Sequence, residues 1–420
     1  MKVTHELHQA GDLDPGFASA GQLTINLAAI PLPNIKAVNC TEEGHVYVLC
    51  NSMATYGAFL IKYSAAGVQD LTYAGGKGYV YNDAPRSSSS AGLLLQGNSA
   101  IIISENVTHL TLDRYLENGL PDGTFGEAGR VAIPFERLKL APAQGAPSPD
   151  VPGYPAGQMF TAAAGGRLFV AYAAHWNETL QLSVVVCLTS EGELDTGFDG
   201  KGYTVIDLAG QERIGNTPAR LFVQTSGTNA GKPVLYVRRR RPLTPDNDED
   251  FIVRLNVDGS KDYSFGTTDT NMVALPADEV PDIYDVILDE DDTLKVVGSR
   301  VDYSGAVRGY TANGTPDPLF NNGSLWTFPR HSVWFGAASS GQGQGYRLMT
   351  WGYNRVAEGH VYLNRVSREC EQDADFGELG RSLVPYDLPS IYVIEPKVTA
   401  ATADAYFAGL GPTLFKVVAR

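Results

Sequence analysis

Apolar and polar residues alternate along short segments of the chain, and no long segment has helical periodicity. Segments such as "HVYVLC", "RLFVAYAA" and "TLKVVG" are rich in β-branched and aromatic residues and are bounded by Gly, Asn or Asp. A short apolar stretch such as "LTINL" is followed by one that runs into a turn, one that leaves the turn, and a fourth that ends in a recurring phrase. The pattern therefore predicts an all-β chain in which each unit has four antiparallel strands.

The recurring phrase has the form G-x-x-D-x-x-F, and it divides the chain into repeats of 52 to 73 residues. Its seven copies begin at Gly11, Gly67, Gly119, Gly192, Gly259, Gly314 and Cys370. Its aspartates are Asp14, Asp70, Asp122, Asp195, Asp262, Asp317 and Asp373, and its aromatic residues are Phe17, Tyr73, Phe125, Phe198, Phe265, Phe320 and Phe376. Four strands per repeat, seven times over, predict that residues 1–420 form a single seven-bladed β-propeller.

The residue types of the phrase have a structural explanation. Glycine permits a positive φ where the chain turns over, and an aspartate can accept hydrogen bonds from nearby backbone N–H groups in an Asx-type turn. The aromatic ring is expected to lie buried between neighbouring blades, where it stabilises their contact. We therefore interpret these aspartates and aromatic residues as architectural.

The phrase, its period and a preceding strand such as "DFIVRLNVDG" resemble the delta-60 repeat family of bacterial β-propeller proteins. The resemblance covers essentially the whole chain, although Cys370 and Tyr73 depart from the pattern. It implies the fold, and it offers no catalytic residues that could be transferred to this sequence. Function must therefore be argued from the irregular parts of the chain.

Charge and hydropathy exclude some classes of partner. The formal net charge is −15 with a pI near 4.9, whereas nucleic-acid-binding proteins present clustered positive charge. No apolar run approaches the length of a membrane span, and the start "MKVTHELHQAGD" lacks an apolar signal-peptide core. We expect a monomer, either cytoplasmic or exported without a classical signal peptide, with no nucleic-acid partner and no membrane span.

The loops of a four-stranded blade alternate between two faces of the propeller. The phrases fall on one face, and the long insertions "ERLKLAPAQGAPSPDVPGYPAGQ" and "RRRRPLTPDNDED" of the third and fourth repeats fall on the other. Because loops on a rigid scaffold often carry binding residues, the face of the long loops is the candidate binding surface.

Two clusters supply the candidate ligand-binding residues, which are Arg238, Arg239, Arg240, Arg241, His331, Trp334, Trp351 and Tyr353. The arginines could bind an anionic ligand, or they could be neutralised across a hairpin by the acidic run that contains Asp246, Asp248, Glu249 and Asp250. The aromatic cluster could stack on a sugar or a peptide, or it could fill the wedge between blades.

Metal and catalytic sites have weaker support. Asp246, Asp248 and Asp250 have EF-hand spacing but lack the required glycine and glutamate. No cofactor is expected, and a looser calcium site there or at Asp289, Asp291 and Asp292 is an alternative. The apolar stretch after each phrase is expected to line the central channel, where Asn26, Asp83, Asp207 and Asp387 could gather.

We predict a non-enzymatic binding platform for a protein or carbohydrate ligand. One alternative is a hydrolase or lyase with its site at the channel mouth, and another is a secreted effector or toxin-like module. The closure of the ring has two interpretations: the segment "VTHELHQAG" either adds a fifth strand beside the last blade or leads into the first phrase.

Overall fold

In the computed structural model, the described residues form twenty-seven short β-strands, which make up almost all of their regular structure. The structure describes residue 10 and residues 12–31, 33–52, 57–82, 92–105, 109–135, 137–138, 159–175, 181–206, 208, 215–240, 249–266, 270–330, 332–354, 360–378, 380–385, 405–408 and 413–418.

The strands group into antiparallel sheets of consecutive strands, each of which is one blade. Blades I to III contain β2 (Pro33–Cys40), β3 (Val46–Ser52), β4 (Ala58–Tyr63) and β5 (Val80–Asn82); β6 (Gly92–Gln96), β7 (Ser99–Glu105), β8 (His109–Tyr115) and β9 (Arg130–Pro134); and β10 (Phe160–Ala164), β11 (Arg167–His175), β12 (Gln181–Thr189) and β13 (Tyr203–Val205). Blades IV to VI contain β14 (Gly215–Val223), β15 (Pro233–Arg240), β16 (Glu249–Arg254) and β17 (Met272–Ala274); β18 (Asp282–Leu288), β19 (Leu294–Ser299), β20 (Ser304–Tyr310) and β21 (Trp326–Arg330); and β22 (Ser332–Ser340), β23 (Arg347–Asn354), β24 (His360–Val366) and β25 (Arg381–Pro385).

The remaining strands form a smaller sheet that joins the two ends of the chain. It consists of β1 (Gln22–Thr24), β27 (Thr413–Val417) and β26 (Ala405–Ala408), in that order, and we call it the closing sheet. The structure is thus an all-β propeller of four-stranded antiparallel blades. The predicted count of seven such blades is wrong, because the described residues form six four-stranded blades and one sheet of three strands.

The strand that lies nearest the axis is not the one that the sequence pattern indicated. The first strands of neighbouring blades pack against each other, as β10 does against β6 and β14. These strands therefore converge around the central axis, and we call this region the hub. The apolar stretch after each phrase forms the fourth strand, at the opposite edge of its sheet. Asn26 is accordingly exposed after β1 at the outer edge of the closing sheet, and Asp83, Asp207 and Asp387 lie outside the described residues.

The phrases form a chain of backbone hydrogen bonds around the molecule. In each phrase, the N–H group of the residue directly after the aromatic residue donates to a backbone carbonyl just before the next phrase. The donors are Ala18, Ala74, Gly126, Asp199, Gly266, Asn321 and Gly377, and the respective acceptors are Ala66, Asn118, Glu191, Asp258, Asn313, Arg368 and Ala10. The last bond therefore runs from the seventh phrase back to the residue before the first.

The core consists of apolar layers between blades. The middle strands are packed on both faces, and all seven residues of β3 are buried. The seven phrase aromatic residues are each 0% exposed. Among the described residues, helical structure is limited to a short turn at Tyr73–Gly76 and 3₁₀ turns at Gly227–Asn229, Asn321–Gly323 and Gly343–Gly345. None of these helices has the length and apolarity to span a membrane.

Candidate functional site

The phrase aspartates act on their own loops. In every phrase one carboxylate oxygen accepts a hydrogen bond from the backbone N–H two residues later, as from Thr72 to Asp70 at 3.0 Å. The other six donors are Gly16, Thr124, Gly197, Ser264, Leu319 and Asp375. The phrase glycines also have the expected backbone, with φ between 73° and 90° from Gly67 to Gly314, and Cys370 adopts a φ of 64° in place of glycine.

A basic side chain binds most of these aspartates, and the sequence interpretation missed it. The pairs with the phrase aspartates are Lys416–Asp14, Arg114–Asp122, Arg167–Asp195, Arg254–Asp262, Arg368–Asp317 and Arg365–Asp373. Several of these cations also lie over the phrase ring, as Arg114 does over Phe125 at 4.5 Å. The available signal was an Arg eight residues before the aspartate, which occurs at residues 114, 254 and 365. Lys62 has the same spacing from Asp70 but forms its ion pair with Glu117.

The predicted arginine cluster lies at the end of β15 and is paired within the protein. Arg239 is buried and contacts Glu249 at 2.7 Å, as the neutralised alternative requires. Arg238 donates to the Tyr236 hydroxyl at 2.9 Å and to the carbonyl of Ile283 in the next blade. The side chain of Arg240 and all of Arg241 lie outside the described residues. No described arginine of this cluster presents an open guanidinium for an anionic ligand.

The predicted aromatic cluster lies mostly in the core. Trp334 is 0% exposed and stacks on Trp326 with ring centroids 6.5 Å apart, and Phe328 and Tyr362 contact the same ring. Trp351 is 2% exposed. His331 and the side chain of Tyr353 lie outside the described residues. The described tryptophans thus fit the wedge-packing alternative, because neither indole face is accessible to a ligand.

The carboxylates of the acidic turn after β18 also have protein partners. Asp289 accepts hydrogen bonds from Lys295 at 2.7 Å and from Tyr346 at 3.0 Å. The partners of the other two carboxylates are Arg368 for Asp291 and the backbone N–H groups of Thr225 and Ser226 for Asp292. No group of three potential metal ligands occurs among the residues that the structure describes, and Asp246 and Asp248 lie outside them.

The hub has an irregularity that the sequence pattern did not indicate. In the described part of the chain, four first strands carry one extra residue, a β-bulge, at an equivalent position. The extra residues are Lys36 in β2, Ala219 in β14, Tyr284 in β18 and Phe335 in β22. Because a bulge re-aims side chains and interrupts pairing, it is often found beside functional sites.

Residues at and after these bulges connect blades IV, V and VI. Arg220 Nε lies 2.7 Å from Asp285 Oδ1, and both side chains are largely buried. The rings of Tyr284 and Phe335 meet edge to face with centroids 5.3 Å apart, and Tyr284 remains 40% exposed. We call Arg220, Tyr284, Asp285 and Phe335 the hub cluster, and Lys36 occupies the corresponding bulge in blade I.

The hub cluster combines an accessible ring with polar groups. Burial lowers the pKa of Lys36, which makes its amine easier to deprotonate than an exposed lysine. Phe335 fixes one edge of Tyr284, so the exposed ring is held without a large loss of side-chain freedom on binding. Such an arrangement can stack on a ring-shaped ligand.

The architecture and the hub cluster define a β-propeller with a candidate site at its axis. No protein-family model matches the sequence, and no curated protein is detectably similar to it. The chain is similar to the crystal structure of the polysaccharide lyase Uly1, with a TM-score of 0.51 and 12% identity over 100% of this chain and 94% of the other. It is also similar to a chain of the complex of Drosophila plexin A with semaphorin 1b, with a TM-score of 0.50 and 10% identity over 98% of this chain and 88% of the other. At these identities the similarity shows the fold alone.

Proposed function

We propose that the protein is a non-enzymatic binding platform whose hub cluster binds a carbohydrate. The observation that carries the proposal is the Tyr284 ring, which is 40% exposed on a bulged hub strand and held edge-on by Phe335. Carbohydrate sites commonly combine an exposed aromatic ring, on which the sugar stacks, with a few fixed polar groups. Asp285 directly follows Tyr284 in β18, and its largely buried pair with Arg220 fixes the strand that carries the ring.

We propose that the six four-stranded blades and the three-stranded closing sheet lie around one axis. The support for this arrangement is the series of seven backbone hydrogen bonds between successive phrases, the last of which joins Gly377 to Ala10 at 2.5 Å. A cryo-microscopy map with seven sheets around one axis would support this arrangement, and a ring of six sheets would contradict it. Membership of the delta-60 repeat family is likewise a proposal, based on the seven phrases.

A glycan array tests the carbohydrate proposal. The wild-type protein should bind a defined set of glycans, and Tyr284→Ala should weaken that binding about tenfold, which corresponds to about 1.4 kcal/mol. Tyr263→Ala is the matched control, because Tyr263 is 59% exposed on a phrase loop away from the hub. Absence of glycan binding, or equal binding by both variants, would refute the proposal.

A hydrolase or lyase at the hub is the second candidate, and the lowered pKa of Lys36 favours it. An amine with a lowered pKa is a better general base near neutral pH than an ordinary lysine. Size-exclusion chromatography of acidic and neutral polysaccharides after incubation would detect cleavage. Cleavage that is lost in Lys36→Met and retained in Lys201→Met would replace the binding proposal with an enzymatic one. The effector alternative and the long-loop face stay predictions, because those loops lie outside the described residues.

A further inference from the structure

A second surface lies away from the hub, on the face of the phrases. Val68, Leu71, Leu116 and Leu120 are exposed aliphatic side chains on the loops that follow β4 and β8. We call these four residues the phrase-loop patch. Leu71 is 69% exposed and Val68 is 65% exposed, so both side chains present most of their area to solvent.

The two loops that carry the patch are fixed relative to each other. The N–H of Ala74 donates to the carbonyl of Asn118 at 2.8 Å, and Lys62 Nζ contacts Glu117 at 3.2 Å across the same boundary. Leu116 and Leu120 flank one tight turn, since the Leu116 N–H donates to the Leu120 carbonyl at 2.8 Å. A partner would therefore meet a preformed surface and lose little free energy in ordering these loops.

Negative charge surrounds the patch. The carboxylates of Glu117, Asp70 and Glu43 all lie close enough to Tyr47 to raise the pKa of its hydroxyl beyond the increase that burial causes. Glu42 and Glu43 are exposed at the adjacent β2–β3 turn. In the described part of these loops, the exposed basic residue is Lys77, so the acidic side chains outnumber the basic ones.

We propose that the phrase-loop patch binds a protein segment with an apolar face flanked by lysine or arginine residues. The aliphatic side chains would lose their exposed area on binding, which is the main favourable contribution. The acidic rim would accelerate association with a basic partner and disfavour an acidic one. This surface is separate from the hub cluster, so it adds a protein-binding function to the proposed carbohydrate platform.

A synthetic amphipathic peptide with a leucine face and lysine flanks is the probe, and fluorescence anisotropy is the measurement. Full-length wild-type protein should bind it, and the double variant Leu71→Ser with Leu120→Ser should bind about tenfold more weakly. Val301→Ser is the matched control, because Val301 is 80% exposed on the β19–β20 turn at the opposite face. Binding should also weaken as salt increases.

Several outcomes would overturn the proposal. These are no binding at millimolar peptide, equal loss in the Val301 control, or equal binding of a peptide with glutamate in place of lysine. Sedimentation of the protein alone distinguishes self-association, since dimerisation that is lost in the double variant would make a second copy the occupant. Glycan binding by the double variant should equal that of wild type, so failure here and failure of the carbohydrate proposal are distinguishable.

Discussion

Lys416 Nζ lies 2.7 Å from Asp14 Oδ2, and the Asp14 N–H donates to the Lys416 carbonyl at 2.9 Å. One residue belongs to the first phrase and the other to the last strand, so this double contact joins the two ends of the chain. It repeats the contact of Arg114 with Asp122 inside blade II, where the same carbonyl and carboxylate are used. Closure of the ring therefore uses the same interactions as blades II, IV and VI.

Lys416→Met should lower the free energy of unfolding by about 2 kcal/mol, because it leaves the Asp14 carboxylate without its cation in a largely buried setting. Lys201→Met is the control, since its pair with Asp199 is exposed and should contribute less than about 1 kcal/mol. Urea denaturation of both variants measures the difference. Equal stability of the two variants would show that the end-to-end pair is dispensable.

Acid should destabilise the protein through Asp262. Burial alone would raise the pKa of this carboxyl, but hydrogen bonds from Lys232 and Ser264 and the charge of Arg254 outweigh it and lower the pKa to about 2. A carboxyl whose pKa is lower in the folded protein stabilises it above the unfolded value of about 3.9, and that contribution is lost as the pH falls toward about 2.

Asp262→Asn should flatten the dependence of melting temperature on pH between about 4 and 2. It should also lower stability at neutral pH, because it removes the carboxylate partner of buried Arg254. Asp375→Asn, at an exposed residue of the seventh phrase, is the control and should leave the curve unchanged. A curve for Asp262→Asn as steep as that of wild type would assign the acid sensitivity to other groups.

Gly309 occupies the strand position where blades I, II, IV and VI have a basic residue, and Lys295 on the neighbouring strand reaches the phrase aspartate instead. A β-carbon at residue 309 would lie only 2.7 Å from the Phe320 Cβ and 2.9 Å from its ring. Gly309→Ala should therefore destabilise blade V by about 1 to 3 kcal/mol. Gly123→Ala is the matched control, because a β-carbon there would have no other atom within 4 Å and the φ of Gly123 is not positive. Thermal melts of both variants make the comparison.

The sequence was sufficient for the features that recur in every repeat. Seven copies of Asp and an aromatic residue at fixed spacing identified the Asx turns and the buried rings, because those roles depend on local backbone geometry. The strands that form the hub could not be identified from the sequence in the same way. Alternation of apolar and polar residues does not show which strand of a repeat lies at the axis, so "LTINL" gave no sign that it lies at the outer edge.

The residues of the hub cluster could not be predicted from the sequence for a related reason. The single-residue bulges at Tyr284 and Phe335 leave the alternation on either side intact, so no pattern marks them. A cluster of tryptophans has the same composition whether it binds a ligand or fills a wedge, and burial alone distinguishes the two. Trp334 could be assigned only once Trp326 and Phe328 were seen against its faces.

Trp334→Ala should destabilise the protein by about 3 to 5 kcal/mol, because the indole is completely buried between blades V and VI and its removal leaves a large cavity. Tyr284→Ala should change stability much less, since its ring is 40% exposed. Differential scanning fluorimetry of both variants, read beside their glycan binding, separates the two roles. If Trp334→Ala melts like wild type but no longer binds glycans, the assignment of Trp334 to the core is wrong. The binding site would then lie at the aromatic cluster around Trp334 and not at the hub cluster.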